Sequence, residues 1–193
     1  MMLSYSKKET YTDRPSEANS YLPRWGLWGR EVHTMIANHA VPVVADAWLK
    51  GIRTPYFTDN EIFNALWTTV TKMHHGNHID LINRYGYIPY DDKMTAVDNG
   101  RETVSKLLEG IYDDYCVAQM AKSLNKWKEY AFLMNRAGYY RNVYDAGSGF
   151  MRGKNKKGEF KKDVDVDEIV GEWISESDFT EANAYHYRFH VQH

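Results

Sequence analysis

RETVSKLLEGIYDDYCVAQMAKSLN, residues 101–125, decides the fold of this chain. Val104, Leu107, Leu108, Ile111, Tyr115, Ala118 and Ala121 recur at the three- and four-residue spacing that lines one face of an α-helix. The spacing predicts a helix over 101–124 with that row turned inward, ended by Asn125, a residue that tolerates the left-handed conformation. Asp113 and Asp114 interrupt the pattern beside Tyr112 and Tyr115. At least one of them must face the interior or its border, where a carboxylate needs partners. A cap, a salt bridge to a neighbouring helix or contact with a ligand would each supply one.

Helical spacing continues outward in both directions. Residues 31–50 carry Val32, Met35, Ile36, Val43, Val44, Ala47 and Trp48 at helical intervals, with Gly51 as a stop and a kink expected at Pro42, which lacks a backbone donor. Thr58 and Glu61 have capping-box spacing and open a second helix that buries Ile62, Phe63, Leu66, Trp67 and Val70. A short helix is expected over 79–84. The stretch YGYIPYDD then reads as extended, because Pro89 biases Ile88 out of the helical region, and its Tyr85, Tyr87 and Tyr90 could line a cleft. A further helix over 126–143 should bury Trp127, Tyr130, Ala131, Met134 and Ala137. DAGSGFMRGKNKKGEF breaks the pattern with four glycines and predicts a small β-hairpin near 149–160, turning at NKKG. Residues 161–178 read as a long charged loop, and a last helix starts at Thr180.

The fold class expected is all-α, a string of antiparallel helix hairpins with one β-hairpin insertion. No repeat of roughly 34 or 40 residues marks a helical solenoid.

The composition narrows the partners. The chain has 193 residues, enough for one domain with a sizeable core, and a formal net charge of -2. Nucleic acid and anionic membrane surfaces recruit clustered Lys and Arg, so neither is an expected partner. Cys116 is the single cysteine, so no intrachain disulfide forms, and its place in an apolar helical pattern marks it as a packed thiol. No run of about 18 apolar residues spans a membrane. Residues 1–20 are a polar lead-in without the apolar core of a signal peptide, although a piece of a secreted protein would lack one too. The aromatic share is 15%, with 15 Tyr and 6 Trp, side chains that pack cores and also stack on sugar rings.

Three polar groupings stand out. His74, His75 and His78 sit close together, but Gly76 breaks any helix there and a surface turn is expected. Asp163, Asp165 and Asp167 alternate like a calcium loop without its glycine and terminal Glu, so a solvated loop is expected. Glu181 opens the aromatic-rich stretch FTEANAYHYRF, in a first helical turn that favours a negative side chain. A catalytic carboxylate in aromatic surroundings is the competing reading.

Five stretches in one order carry a resemblance: YLPRWGLWGREVHTMIANHAVPVVADAWLKGI, YGYIPYD, ETVSKLLEGIYDDYCVAQMAKSL, GFMRGKNKKGEF and FTEANAYHYRFHV. Together, from Tyr21 to Val191, they resemble glycoside hydrolase family 92, the calcium-dependent exo-acting α-mannosidases. The resemblance implies a large secreted or periplasmic enzyme with an N-terminal β-sandwich and a C-terminal (α/α)6 toroid. Residues 21–193 would form the first part to the middle of that toroid.

The family's general acid is the Glu of EGNAWQY, which falls on Glu181. Its base is an Asp in GNDDxGxMSAW, a motif this sequence does not contain. The isolated chain is therefore expected to be inactive. Calcium is implied near the sugar 2- and 3-hydroxyls, with ligands mostly outside this chain and none assigned within it. The implied partner is a mannose-containing glycan, and Trp25, Glu31, Asn183, Tyr185 and His186 are the expected sugar-site residues. The sequence departs from the family at Ala182 for Gly, Tyr185 for Trp and His186 for Gln, and GNET appears as GREV with Arg30 and Val32. Glu31 remains readable either as a sugar-site residue or as a first-turn carboxylate. Helix faces left uncovered by a partial toroid would favour self-association. A non-catalytic helical module, binding carbohydrate or a protein, is the alternative.

Overall fold

The computed structural model describes residues 21–27, 30–31, 34–74, 76–91, 101–167 and 177–193. The polar lead-in over 1–20, Val32, His75 and the loop over 168–176 lie outside these described residues.

Two short strands, β1 (Gly26–Leu27) and β2 (Arg30–Glu31), pair antiparallel with Gly26 opposite Glu31. The helix expected over 31–50 begins later than its apolar spacing suggested. Glu31 lies in β2, and Ala37 takes a left-handed φ of 49° that interrupts helical backbone. Helix α1 is Ala40–Leu49. Pro42 sits in its first turn, where a backbone donor has no intrahelical acceptor, so the expected kink is instead a helix start.

Helix α2 (Asp59–Thr71) opens with the capping box its sequence announced. The Glu61 amide donates to Thr58 Oγ1 at 3.2 Å, and Glu61 Oε2 accepts the Thr58 amide at 2.8 Å. Helix α3 (Ile79–Tyr85) ends on Gly86 at a φ of 76°.

Helix α4 (Thr103–Ser123) is the long central element. Asn125 ends it at a φ of 57°, with the Asn125 amide donating to the Lys122 carbonyl and the Lys126 amide to the Ala121 carbonyl. This Schellman closure satisfies carbonyls that a helix end leaves open, and it turns the chain within three residues into α5 (Trp127–Ala137). A 3-10 turn over Gly138–Asn142 follows, so the helix expected over 126–143 is shorter than its pattern. Leu133, Arg136 and Ala137 are its buried residues, with Tyr130 and Met134 half-buried. Trp127 and Ala131, expected inside, face out.

Strands β3 (Tyr144–Asp145) and β4 (Phe150–Met151) form one small hairpin. A second turn follows at NKKG, closed by the Gly158 amide on the Asn155 carbonyl and a bridge from Lys154 to Phe160. This insertion is docked by the YGYIPY segment. The Tyr90 amide donates to the Lys154 carbonyl, and the Tyr87 hydroxyl donates to the Asn155 carbonyl at 2.9 Å. Tyr87 is buried, so it packs rather than lines a cleft.

Two apolar cores form among the described residues, and α4 belongs to both. Val41, Trp48, Phe63, Leu66, Val117, Met120 and Leu133 join α1, α2, the C-terminal half of α4, and α5. Ile82, Ile88, Leu107, Leu108, Ile111, Met151, Phe179 and Tyr187 join α3, the N-terminal half of α4, the insertion and the C-terminal segment. A buried side chain of this size contributes roughly 1.5–3 kcal/mol. Cys116 is half-buried against the first core, as a packed thiol should be, and burial pushes its pKa up to about 11.

Candidate active site

The first turn of α4 leaves backbone amides without intrahelical acceptors. The C-terminal segment fills them. The Glu102 amide donates to the Ser177 carbonyl at 2.8 Å, and the Val104 and Ser105 amides donate to the Asp178 carbonyl at 3.1 and 3.2 Å. The Thr180 amide returns a bond to Ser105 Oγ at 2.8 Å. Asp178 is buried, accepts the Gly153 amide at 3.0 Å and lies 3.8 Å from Lys161 Nζ. Burial raises its pKa, with Lys161 pulling the other way. A Cβ at Gly153 would stand 2.5 Å from Asp178 Oδ1, so glycine is required there.

Glu181 follows this clamp, exposed and at a left-handed φ of 48°. It is not in the first turn of a helix. The last helix, α6 (Ala184–Arg188), starts later than the sequence suggested, with Asn183 as its cap. Asn183 Oδ1 accepts the Tyr185 and His186 amides at 3.1 and 3.3 Å. His186 Nδ1 accepts the Asn183 amide at 3.4 Å and lies 2.7 Å from Asn183 Oδ1, which closes a reciprocal capping box. The helix-dipole explanation for Glu181 falls away, since two residues separate it from α6.

Ala182, the methyl that replaces a glycine, does not occupy a left-handed position and packs against the second core. Tyr185 is 47% exposed and meets Phe150 edge-on at 5.0 Å.

Glu31 is 4% exposed and accepts the Arg24 amide and, at 3.1 Å, the Trp25 amide. It is a buried acceptor on β2 that holds the Arg24–Trp25 backbone rather than a first-turn helix carboxylate. Trp25 is 46% exposed. The sequence-predicted residues thus form two sets, Trp25 with Glu31 at the N-terminal end and Glu181, Asn183, Tyr185 and His186 at the C-terminal end.

A third polar group was not legible in the sequence. His39 Nε2 lies 2.6 Å from Glu109 Oε2, and its Nδ1 lies 3.6 Å from Asp113 Oδ1. Asp113 Oδ2 accepts the Asn38 amide at 2.8 Å. Glu109 Oε1 accepts the Tyr187 hydroxyl at 3.2 Å and stands 3.4 Å from His190 Nε2. The facing carboxylates of Asp113 and Glu109 raise the His39 pKa to about 10, against desolvation. Burial would raise Glu109, but bonding to His39 and its charge bring it below the usual carboxylate range. Burial pushes Asp113 up to about 6. Glu109 and Asp113 are one helical turn apart on α4, which was the available signal, but His39 is 70 residues away from Glu109 along the chain.

Asp114 takes the structural role open to it. It receives a two-pronged bond from the Arg136 guanidinium, which also donates to the Val70 carbonyl at 2.7 Å. A small cavity of about 30 Å³ lies beside these residues, lined by Asn38, His74, Lys106, Gly110, Asp113 and Arg136 among others. His74 is buried and bonded through Nε2 to the Thr69 carbonyl, with Tyr21 stacked on it at 4.3 Å, so it packs instead of forming a surface turn.

The model of the glycosyl hydrolase family 92 catalytic domain matches residues 9–193. The chain belongs to glycoside hydrolase family 92. Among solved structures it resembles the family GH92 alpha-mannosidase BT3965 from Bacteroides thetaiotaomicron, with 31% identity and a TM-score of 0.81 over 98% of this chain. The complex of that enzyme with mannoimidazole matches with 31% identity and a TM-score of 0.79. The family GH92 inverting mannosidase BT2199 from Bacteroides thetaiotaomicron VPI-5482 matches with 26% identity and a TM-score of 0.79, again over 98% of this chain. The chain spans 22–23% of the length of these structures. No curated protein matches it.

This family-92 chain has the fold class expected of it, helical hairpins of a partial (α/α)6 toroid with a small β-hairpin insertion. Among the described residues no three His, Cys, Asp or Glu gather where they could hold one metal ion. Asp163, Asp165 and Asp167 follow suit: the Asp167 amide bonds locally to Asp165 Oδ1. The described residues alone do not build a calcium cage. No helix among them is long and apolar enough to cross a membrane.

Proposed function

We propose that this chain is the acid-bearing part of an inverting exo-α-mannosidase that removes terminal α-linked mannose from glycans, with Glu181 as the general acid. Family membership supports the reaction class. The observation that carries the residue is the local build of Glu181, an exposed carboxylate on a left-handed residue held between the α4 clamp and the Asn183 cap. Nothing in helix formation calls for a carboxylate at that turn.

In this reading Glu181 protonates the departing glycosidic oxygen while a second carboxylate activates water on the opposite face of the sugar. Inverting pairs stand about 6.5–9.5 Å apart to admit that water. In this reading the base comes from sequence beyond these 193 residues, as do most calcium ligands. Tyr185 and Trp25, each near half-exposed, offer aromatic faces to sugar rings. Asn183 and His186 shape the turn through their cap, and Glu31 orders the loop that presents Trp25. A glycan substrate fits a secreted or periplasmic parent.

The test uses leaving groups. In a polypeptide that carries residues 1–193 together with the base, Glu181→Gln should slow mannobiose hydrolysis by about 10²–10⁴. An activated aryl α-mannoside, whose leaving group departs without a proton, should lose far less. Equal loss on both substrates removes Glu181 from the acid role. Turnover by the isolated chain would show that the base lies within it. Mannobiose binding by that chain without any dependence of turnover on Glu181 would favour the non-catalytic module.

A further inference from the structure

Ser105 is fully buried in the first turn of α4, and its Oγ accepts the amide of Thr180, the residue before Glu181. On the other side of Glu181, Tyr187 is also buried, and its hydroxyl donates to Glu109 Oε1 at 3.2 Å. Glu109 is held in turn, with His39 Nε2 2.6 Å from its other oxygen and His190 Nε2 3.4 Å from the first. Two buried hydroxyls thus join the chain on either side of Glu181 to α4, one accepting the Thr180 amide and the other donating to a carboxylate.

Thr180 and Tyr187 bracket Glu181. A left-handed backbone costs an ordinary L-residue energy that must be repaid by its surroundings, so an unanchored turn would relax and swing its carboxyl away. We infer that Ser105 and Tyr187 are positioning residues for Glu181, two hydroxyl anchors that tie the chain on either side of its turn to Ser105 and Glu109 of α4. The inference deepens the reading of Glu181 as proton donor and rests on it. Neither hydroxyl touches substrate, and both act by fixing where the acid stands.

Ser105→Ala is a mild variant, since it removes one oxygen and leaves the packing in place. In the full chain, amide hydrogen exchange over Thr180–Ala184 should speed up about tenfold or more in Ser105→Ala and in Tyr187→Phe, while α2 exchanges as before. Ser105→Thr, which keeps the hydroxyl, should restore protection. Unchanged exchange over Thr180–Ala184 overturns the anchoring role, and so does an increase shared equally by α2 and not rescued by threonine. In the polypeptide that also carries the base, Ser105→Ala should lower kcat for mannobiose with KM little changed, and spare an activated aryl mannoside. If exchange responds as expected but Glu181→Gln shows no leaving-group dependence, the anchors stand and the acid reading falls.

Discussion

His39 shows how much one side chain can depend on neighbours far away in sequence. Two carboxylates from α4, Asp113 and Glu109, face its ring, and they hold its pKa near 10 instead of the ordinary 6.5. His39 therefore binds a proton more tightly when the chain is folded. Its contribution is complete below pH 6.5 and is lost as pH rises toward 10. Asp113 has the same sign in a lower window: its folded pKa is raised from 3.8 to about 6, so stability falls as pH climbs through that range. We expect urea midpoints to decline between pH 6.5 and 9, and His39→Gln to flatten that decline. An unchanged slope in the variant would mean that the cluster does not hold the proton. Above pH 9 the half-buried Cys116 thiol adds a loss of the same sign.

At the scale of elements, α4 contains a local weakness. Gly110 sits mid-helix beside the small cavity, and a Cβ there would meet no atom within 4 Å. Gly110→Ala should stabilise the chain by about 1 kcal/mol through reduced backbone entropy and better helix propensity, seen as a higher melting temperature. A lower one would show that the methyl closes space the helix needs. Elements whose rules are local were readable in advance. The α2 start followed from Thr58 and Glu61, and the α4 end from Asn125. Elements shaped by distant contacts were not. Val32, Met35 and Ile36 fall at helical spacing, yet Ala37 is left-handed and α1 begins only at Ala40. The last helix likewise starts after Glu181, because the segment before it spends its carbonyls on the first turn of α4. Glu181 became a candidate through the motif around it, whereas Ser105 and His39 carried no local signal and Glu109 only its one-turn spacing from Asp113.

For the molecule as a whole, Arg136 is the staple between the two cores. From α5 it bonds Asp114 on α4 and the Val70 carbonyl at the end of α2, with Asn83 of α3 3.4 Å away. It is 2% exposed and Asp114 is 1% exposed. Removing one partner of such a pair strands a buried charge, so Arg136→Met should cost about 3–5 kcal/mol. The double variant Arg136→Met with Asp114→Leu should recover much of that loss. Chemical unfolding of the two variants measures both, and a double variant as weak as the single one would place the loss in packing.

Gly153 and Asp178 come from different parts of the chain, the hairpin insertion and the segment leading to Glu181, yet a side chain at the first would collide with the second. The two positions are therefore locked in sequence space. A combinatorial library randomised at both should return glycine at 153 wherever 178 keeps its carboxylate, and the insertion can drift in sequence only as far as Asp178 lets it.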